Sequence, residues 1–188
     1  MSKVNMLSDS VVTLKKPNLD LSESVREALV ESYENLKEFE LWPEPNPSIE
    51  NVRSHMELAI SNFENHVNEY RFFIVRNCDL KLVGTIGLII RNPKIPYLEF
   101  GYWIRSSESR KGYISASVKL LEEYAIDVLK VRRLEIRMAE SNLASKRVAE
   151  RAGYKFEAKI HFDRMLPDGR IANSLVYSKL YPHQATVA

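Results

Sequence analysis

The sequence has little of several features that mark specialised classes of protein. Its 188 residues include one cysteine, Cys78, so no internal disulfide can form, as is usual for proteins of a reducing compartment. The formal net charge of +2 is too small to predict a polyanionic partner. No apolar run approaches the length of a membrane span, and residues 1–10 lack the apolar centre of a signal peptide. We therefore expect a cytoplasmic protein without a membrane partner.

The sequence is equally poor in groups for metal or thiol chemistry. The four histidines, His55, His66, His161 and His183, are scattered without the spacing of metal ligands. Cys78 lies in a predicted turn, with no recognisable base or helix terminus nearby to lower its pKa. We therefore expect neither a metal site nor a catalytic cysteine.

The composition is that of a globular protein, and the length suits one domain over residues 1–188. Hydrophobic residues make up 45% of the chain and charged residues 28%. Alternating apolar residues predict strands at 11–15, 70–76, 82–91, 98–104, 133–139, 154–162 and 171–180. Helical stripes predict helices at 21–39, 49–63, 115–129 and 142–152. Three prolines in residues 42–47 predict an elbow between the first two helices.

This order of elements predicts an α/β (α+β) fold with a central, mixed, twisted sheet of about seven strands. The sheet is flanked by helices, because each strand and helix must bury its apolar side against another layer. The predicted helix at 115–129 connects strands 98–104 and 133–139 as a crossover, which implies that these two strands run parallel.

The most informative local feature is the turn that joins the predicted strand 98–104 to the predicted helix 115–129. The turn is rich in serine, arginine and lysine, and Gly112 precedes the helix. The first amides of a helix lack internal partners and carry the positive end of its dipole, so such a junction can bind phosphate. Arg110 and Lys111 add formal charge, and Gly112 permits close approach to the backbone. Local chemistry leaves two interpretations open, an anion site and an ordinary basic loop.

Four stretches of the chain carry a resemblance to a known family. They are EFGYWI at 99–104, SRKGYIS at 109–115, SNLAS at 141–145 and VAERAGY at 148–154, the last followed by Phe156 and Glu157. In order and spacing, residues 97–157 resemble the GCN5-related N-acetyltransferase (GNAT) superfamily, and more narrowly its RimJ/RimL branch of ribosomal-protein N-acetyltransferases. The resemblance implies a GNAT fold whose sheet is splayed between the fourth and fifth predicted strands.

The same resemblance implies a cofactor, acetyl-CoA, with CoA as the product. Its pyrophosphate is expected on the amides of the turn, its pantetheine arm against the backbone of the preceding strand, and its sulfur near an Asn-x-x-Ser pair. The implied cofactor-binding residues are Trp103, Ile104, Arg105, Arg110, Lys111, Gly112, Tyr113, Ile114, Ser115, Asn142 and Ser145. Ser145 is also the candidate proton donor to the departing thiolate, with passive contact as its alternative.

Three positions depart from the pattern of the family. Ser109 stands where the turn has Gln or Arg, and Ile114 where it has Gly or Ala. A base glutamate found in some relatives falls near Arg164, beside Asp163. We therefore take Glu99, which shares a strand face with Trp103, as the candidate catalytic base. Its alternative is an exposed strand carboxylate paired with a neighbouring cation.

The implied reaction moves an acetyl group directly to a primary amine. Because an α-amino group has a pKa of about 7.7–8, roughly a tenth is neutral at pH 7, against about one in a few thousand for lysine. An N-terminal acceptor therefore needs only modest help from a base. We expect an acetyl-CoA-dependent N-acetyltransferase that acts on a protein N-terminus or another small amine.

Two alternatives come from other classes of protein. One is a non-catalytic acyl-CoA-binding sensor or interaction module of the same fold. The other is a nucleic-acid-binding domain. The small net charge argues against this alternative, so we expect no specific nucleic-acid partner. Its candidate residues are Lys15, Lys16, Arg110, Lys111, Arg132 and Arg133. The sequence leaves monomer and homodimer open.

Overall fold

The fold is built on one eight-stranded mixed sheet; the structure, a computed structural model, describes residues 6–92 and 94–181. The strands are β1 Met6–Ser8, β2 Val12–Lys15, β3 Glu69–Arg76, β4 Leu82–Asn92, β5 Tyr97–Ile104, β6 Arg133–Ala139, β7 Lys155–Met165 and β8 Ile171–Leu180. Their spatial order is β1-β2-β3-β4-β5-β6-β8-β7. The predicted mixed sheet is confirmed with one strand more than the seven expected. The addition is β1, which pairs with β2 and is too short to show a periodic pattern.

Four helices flank the sheet, and their ends follow from local chemistry. They are α1 Ser22–Leu36, α2 Ile49–Asn65, α3 Tyr113–Asp127 and α4 Leu143–Arg151. Ser48 caps α2, since its Oγ accepts the amide hydrogen of Asn51 at 3.1 Å. The helix α3 begins at Tyr113, two residues before the predicted start, directly after Gly112. None of the described helices is both long and apolar enough to cross a membrane.

The predicted splay lies between β5 and β6, the fourth and fifth of the predicted strands. These two strands are parallel, and their register pairs only Tyr97–Phe100 with Arg133–Ile136. The rest of β5, Gly101–Ile104, is paired with β4 on its other side. The sheet therefore opens into a split beside this segment, at the end of β5 that leads into the basic turn.

The two faces of β5 belong to different layers. Leu98 and Phe100 are buried in the larger hydrophobic cluster, together with the core-facing residues of α3. Trp103 points the other way and packs against the smaller cluster, which contains residues of α1 and α2. Side chains from both faces of the sheet are therefore placed next to the split.

One glycine fixes the close approach of β4 to the split segment. Gly84 lies opposite Ile104, and a Cβ atom at Gly84 would collide with the carbonyl oxygen of Trp103. The absence of a side chain at Gly84 thus lets β4 hold the last residues of β5 at the edge of the split.

Candidate active site

The backbone of the split segment offers hydrogen-bonding groups to the opening. The amide of Arg105 donates to the carbonyl of Val83 in β4 at 2.7 Å. Because backbone groups alternate along an antiparallel strand, those of Trp103 also point towards β4 and those of Tyr102 and Ile104 point into the split. Among the three residues expected to hold pantetheine by their backbone, Ile104 is therefore the one that faces the opening.

The turn after β5 forms a concave run of backbone amides. Arg110 and Gly112 have positive φ angles, 62° and 88°, and the helix α3 starts immediately afterwards. No amide from Arg110 to Ser115 donates a hydrogen bond to any described residue. Left-handed residues alternating with other conformations turn successive N–H groups towards one side, and the dipole of α3 adds positive potential there. This run, residues 110–115, is the anion nest.

The unusual residue in the turn leaves the nest open. Ile114 is buried in the larger core cluster, so its β-branched side chain points away from the free amides. A Cβ atom at Gly112 would meet nothing within 4 Å, which shows that the mouth of the nest is unobstructed. The departure of Ile114 from the family pattern therefore does not obstruct an anion on the nest.

A buried carboxylate beneath the turn was not predicted. Glu108 is 4% exposed. Its carboxylate oxygens form ion pairs with side-chain nitrogens of Arg76 at 2.8 Å, Lys111 at 2.9 Å and Lys81 at 3.1 Å. Burial opposes its ionisation, but these three cations together hold the pKa of the Glu108 carboxyl below its usual value. Arg76 also stacks on Tyr113, with its guanidinium carbon 5.9 Å from the ring centroid. Glu108 thus ties the nest to the hairpin between β3 and β4.

The predicted basic residues of the turn have different roles. The Lys111 ammonium is bound to Glu108, whereas the exposed Arg110 side chain has no partner in the described part of the chain. The Arg105 side chain is buried and pairs with Glu31 of α1 at 3.0 Å. The amides of Ser106 and Ser107 also donate to α1 side chains, at 3.1 and 2.9 Å. Arg110 is therefore the arginine free to meet an anion, and Arg105 anchors α1 to the turn.

Ser145 meets a partner that the sequence did not predict. Its Oγ lies 2.8 Å from the hydroxyl of Tyr102, on the split segment of β5. Its amide donates to the Oδ1 of Asn142 at 3.0 Å, so Asn142 caps α4. Burial raises the pKa of the Tyr102 hydroxyl well above its usual value, and the contact with Ser145 offsets only part of that rise. The pair bridges the split, and the tyrosine keeps its proton.

Glu99 lies on the Trp103 face of β5 but already has a partner. Its carboxylate, 8% exposed, pairs with Arg91 at 2.6 Å. Burial raises the pKa of Glu99, and Arg91 opposes that rise. Glu99 is thus paired with a cation, as its alternative interpretation expected, but it is buried and not exposed, and its role as a base stays a prediction.

The remaining clusters of charge belong to the fold. Arg133, a candidate for nucleic-acid contact, pairs with Glu157 at 2.8 Å and also with Glu135. Residues 6–92 and 94–181 contain no group of three or more His, Cys, Asp or Glu side chains arranged to hold a metal ion. The features that remain for chemistry are the split, the nest and the Tyr102–Ser145 pair.

Part of the chain is similar in sequence to curated proteins. The chain is 36% identical over 91 residues to the "Probable N-acetyltransferase YjcK" of Bacillus subtilis (strain 168), which covers 47% of this chain and 50% of that protein. The chain thus spans about half the length of the curated relatives it matches.

Solved structures resemble the fold over nearly the whole chain. The microcin C7 self-immunity acetyltransferase MccE, in complex with acetyl-CoA and AMP, superposes with a TM-score of 0.84 at 22% identity, covering 92% of this chain and 94% of that one. The ribosomal L7/L12 α-N-protein acetyltransferase RimL, in complex with coenzyme A, gives 0.86 at 19% identity, covering 93% and 97%. At these identities the likeness concerns the fold alone. Residues 12–155 match the acetyltransferase (GNAT) domain family, and with the split sheet and the anion nest in place, the chain belongs to that family.

Proposed function

We propose that this protein is an acetyl-CoA-dependent N-acetyltransferase whose acceptor is the α-amine of a protein N-terminus. The observation that carries the proposal is the run of unpartnered amides at 110–115, placed at the mouth of a split in the sheet. The acceptor class is supported by likeness to RimL and to a Salmonella typhimurium enzyme described as modifying the N-terminal serine of ribosomal protein L7/L12.

The residues around the split fit acetyl-CoA. The anion nest would hold the pyrophosphate through its N–H groups, with Arg110 as an added charge. The backbone of Ile104 would bind the pantetheine arm as a strand-like partner within the split. When bound, acetyl-CoA supplies the acetyl group as a thioester. The amides of Tyr102 and Ile104 that face the split are the donors available to the carbonyl oxygen of that thioester.

The reaction forms one N–C bond and breaks one C–S bond, and one proton leaves the neutral amine while one joins the thiolate. Either hydroxyl can donate in this 2.8 Å contact, and the proposed mechanism uses the orientation in which Tyr102 donates to the Ser145 Oγ. That orientation leaves the Ser145 hydroxyl hydrogen free to point at the departing sulfur. We therefore assign Ser145 as the proton donor and Tyr102 as its positioning residue. The proton lost by the amine goes to water, and Glu99 stays a candidate relay for it, with Arg91 already paired to its carboxylate at 2.6 Å.

Calorimetric titration of acetyl-CoA tests the cofactor part of the proposal. The wild type is expected to bind, and Arg110→Glu is expected to weaken binding about tenfold, because the change reverses one charge at the mouth of the nest. Arg53→Glu, at an exposed site on α2, is the matched control and is expected to bind like the wild type. Equal affinity in all three proteins would show that the nest is not the phosphate site.

A further inference from the structure

The elbow between α1 and α2, residues 37–48, packs against β5 on the face opposite Tyr102. On one side, the Trp42 ring stands 6.5 Å from the ring of Trp103 in β5, with the planes at 48°. On the other side, Glu40 lies close enough to Arg164 of β7 for the arginine to affect its titration. Arg164 donates to Ser174, which pairs with Ala139 of β6. The elbow therefore packs on Trp103 of the split segment, and its Glu40 lies within reach of the charge of Arg164.

The elbow is held in this place by its own contacts. The amide of Glu40 donates to the carbonyl of Leu36 at the end of α1 at 3.0 Å. The end of α1 is in turn fixed to the turn below the nest, where Asn35 donates to Ser106 at 2.7 Å. Glu40 and Trp42 are therefore held on the Trp103 face of β5.

One oxygen of the Glu40 carboxylate is available to bind a cation. Its Oε2 accepts the Nε1 hydrogen of Trp42 at 3.2 Å, and its Oε1 accepts no hydrogen bond from the described residues. Arg164 forms no ion pair with Glu40 within 4.0 Å in that part of the chain. Burial raises the pKa of the Glu40 carboxyl, an effect that Arg164 and the Trp42 contact oppose. By contrast, the Glu99 carboxylate is already occupied by Arg91 at 2.6 Å.

We propose that Glu40, Trp42 and Trp103 bind the ammonium group of the acceptor, and we call these three residues the amine corner. The proposal rests on the proposed function, whose acceptor it describes further. A protonated amine is attracted to the faces of two tryptophans and to a carboxylate at their edge, and Trp42, 49% exposed, presents its ring to solvent. Glu40 then takes one proton from the ammonium nitrogen and passes it to water, which leaves a neutral amine facing the split.

The chain offers a direct optical signal for this binding. It contains two tryptophans, and both belong to the amine corner. The probe is a pentapeptide that begins with serine and has a free α-amine, titrated into the CoA-bound protein while tryptophan fluorescence is recorded. The same peptide with an acetylated α-amine is the matched ligand control. We expect a saturable change with the free amine and none with the acetylated peptide.

Kinetics of matched variants separate Glu40 from its neighbours. Glu40→Gln is expected to raise KM for the free-amine peptide at least tenfold, and to remove the acid limb of the kcat/KM pH profile that reports ionisation of Glu40. Glu38→Gln, an exposed change in the same elbow, is expected to behave like the wild type. Glu99→Gln is expected to retain the acid limb, because its partner Arg91 and not the amine occupies that carboxylate.

The outcomes distinguish the amine corner from the proposed function. Unchanged KM and pH profile in Glu40→Gln, or equal fluorescence changes with the free and acetylated peptides, would overturn the amine corner while the acetyltransferase assignment stands. Each variant is also titrated with acetyl-CoA, and we expect Kd within about twofold of the wild type, since the corner lies on the acceptor face. A wild type that binds no acetyl-CoA would instead overturn the proposed function.

Discussion

Replacing Ser145 with alanine is expected to lower kcat about a hundredfold and to leave the Kd of acetyl-CoA nearly unchanged. A positioned proton donor contributes about 10²-fold or more to a step of this kind, and the alanine variant has no hydroxyl to offer the departing sulfur. The cap of α4 survives, because the amide of Ser145 still donates to Asn142. The measurement is kcat at saturating amine and acetyl-CoA, with Kd measured in parallel.

The companion variant Tyr102→Phe removes only the orienting hydroxyl. It is expected to lower kcat about tenfold, less than Ser145→Ala, because the serine hydroxyl remains but loses its fixed direction. The double variant is expected to be no slower than Ser145→Ala, since the two residues act as one unit. Full activity in Ser145→Ala, or additive losses in the double variant, would contradict the assigned roles.

The second large effect is expected at Glu108, whose loss leaves three cations without their common carboxylate. Glu108→Gln is expected to lower the free energy of unfolding by about 2 kcal/mol, below the full value for a broken buried pair because Lys81 and Lys111 are partly exposed to water. The nest should also loosen, so the Kd of acetyl-CoA should rise. Urea denaturation measures the first effect and calorimetry the second.

The contribution of Glu108 to the free energy of unfolding is expected to fall as the pH is lowered. The pKa of Glu108 is lowered in the folded protein, so its contribution is fully present above the pKa of an unfolded glutamate, about 4.3, and is lost as the pH falls through the folded pKa. The stability difference between wild type and Glu108→Gln should therefore be constant near neutral pH and shrink in acid. Asp79→Asn, at an exposed partner of Arg76, is the control and should change stability far less. A pH-independent difference would show that the cations do not act on Glu108.

The parts of the fold that follow from local pattern could be predicted from the sequence. Neighbouring residues carry the alternation of β5 and β6, the crossover through α3 and the glycine before that helix, so the parallel pair of strands and the turn were both expected. The strand β1 could not be, because three residues carry no period. The β5–β6 split was expected only through family resemblance, and the structure shows its cause in a register that ends at Phe100.

The chemistry that was missed depends on residues far apart in the chain. The hydroxyls of Tyr102 and Ser145 are hydrogen-bonded to each other. Glu108 accepts hydrogen bonds from Arg76 and Lys81 of the neighbouring hairpin. Glu40 is brought towards Arg164 by the packing of the elbow over the sheet. No periodic pattern encodes such meetings. Tyr102 could have been suspected from the alternation of β5, which puts it on the same face as Leu98 and Phe100.

The measurement that tests the central claim most directly is acetyl transfer to a defined amine. Wild-type protein is incubated with acetyl-CoA and the serine-initiated pentapeptide, and the released thiol and the peptide mass are followed together. We predict that thiol release equals the amount of peptide that gains one acetyl group, and that both stop when the α-amine is blocked. Tight binding of acetyl-CoA with no transfer to this peptide or to any primary amine would contradict the account and indicate a binding module in place of an enzyme.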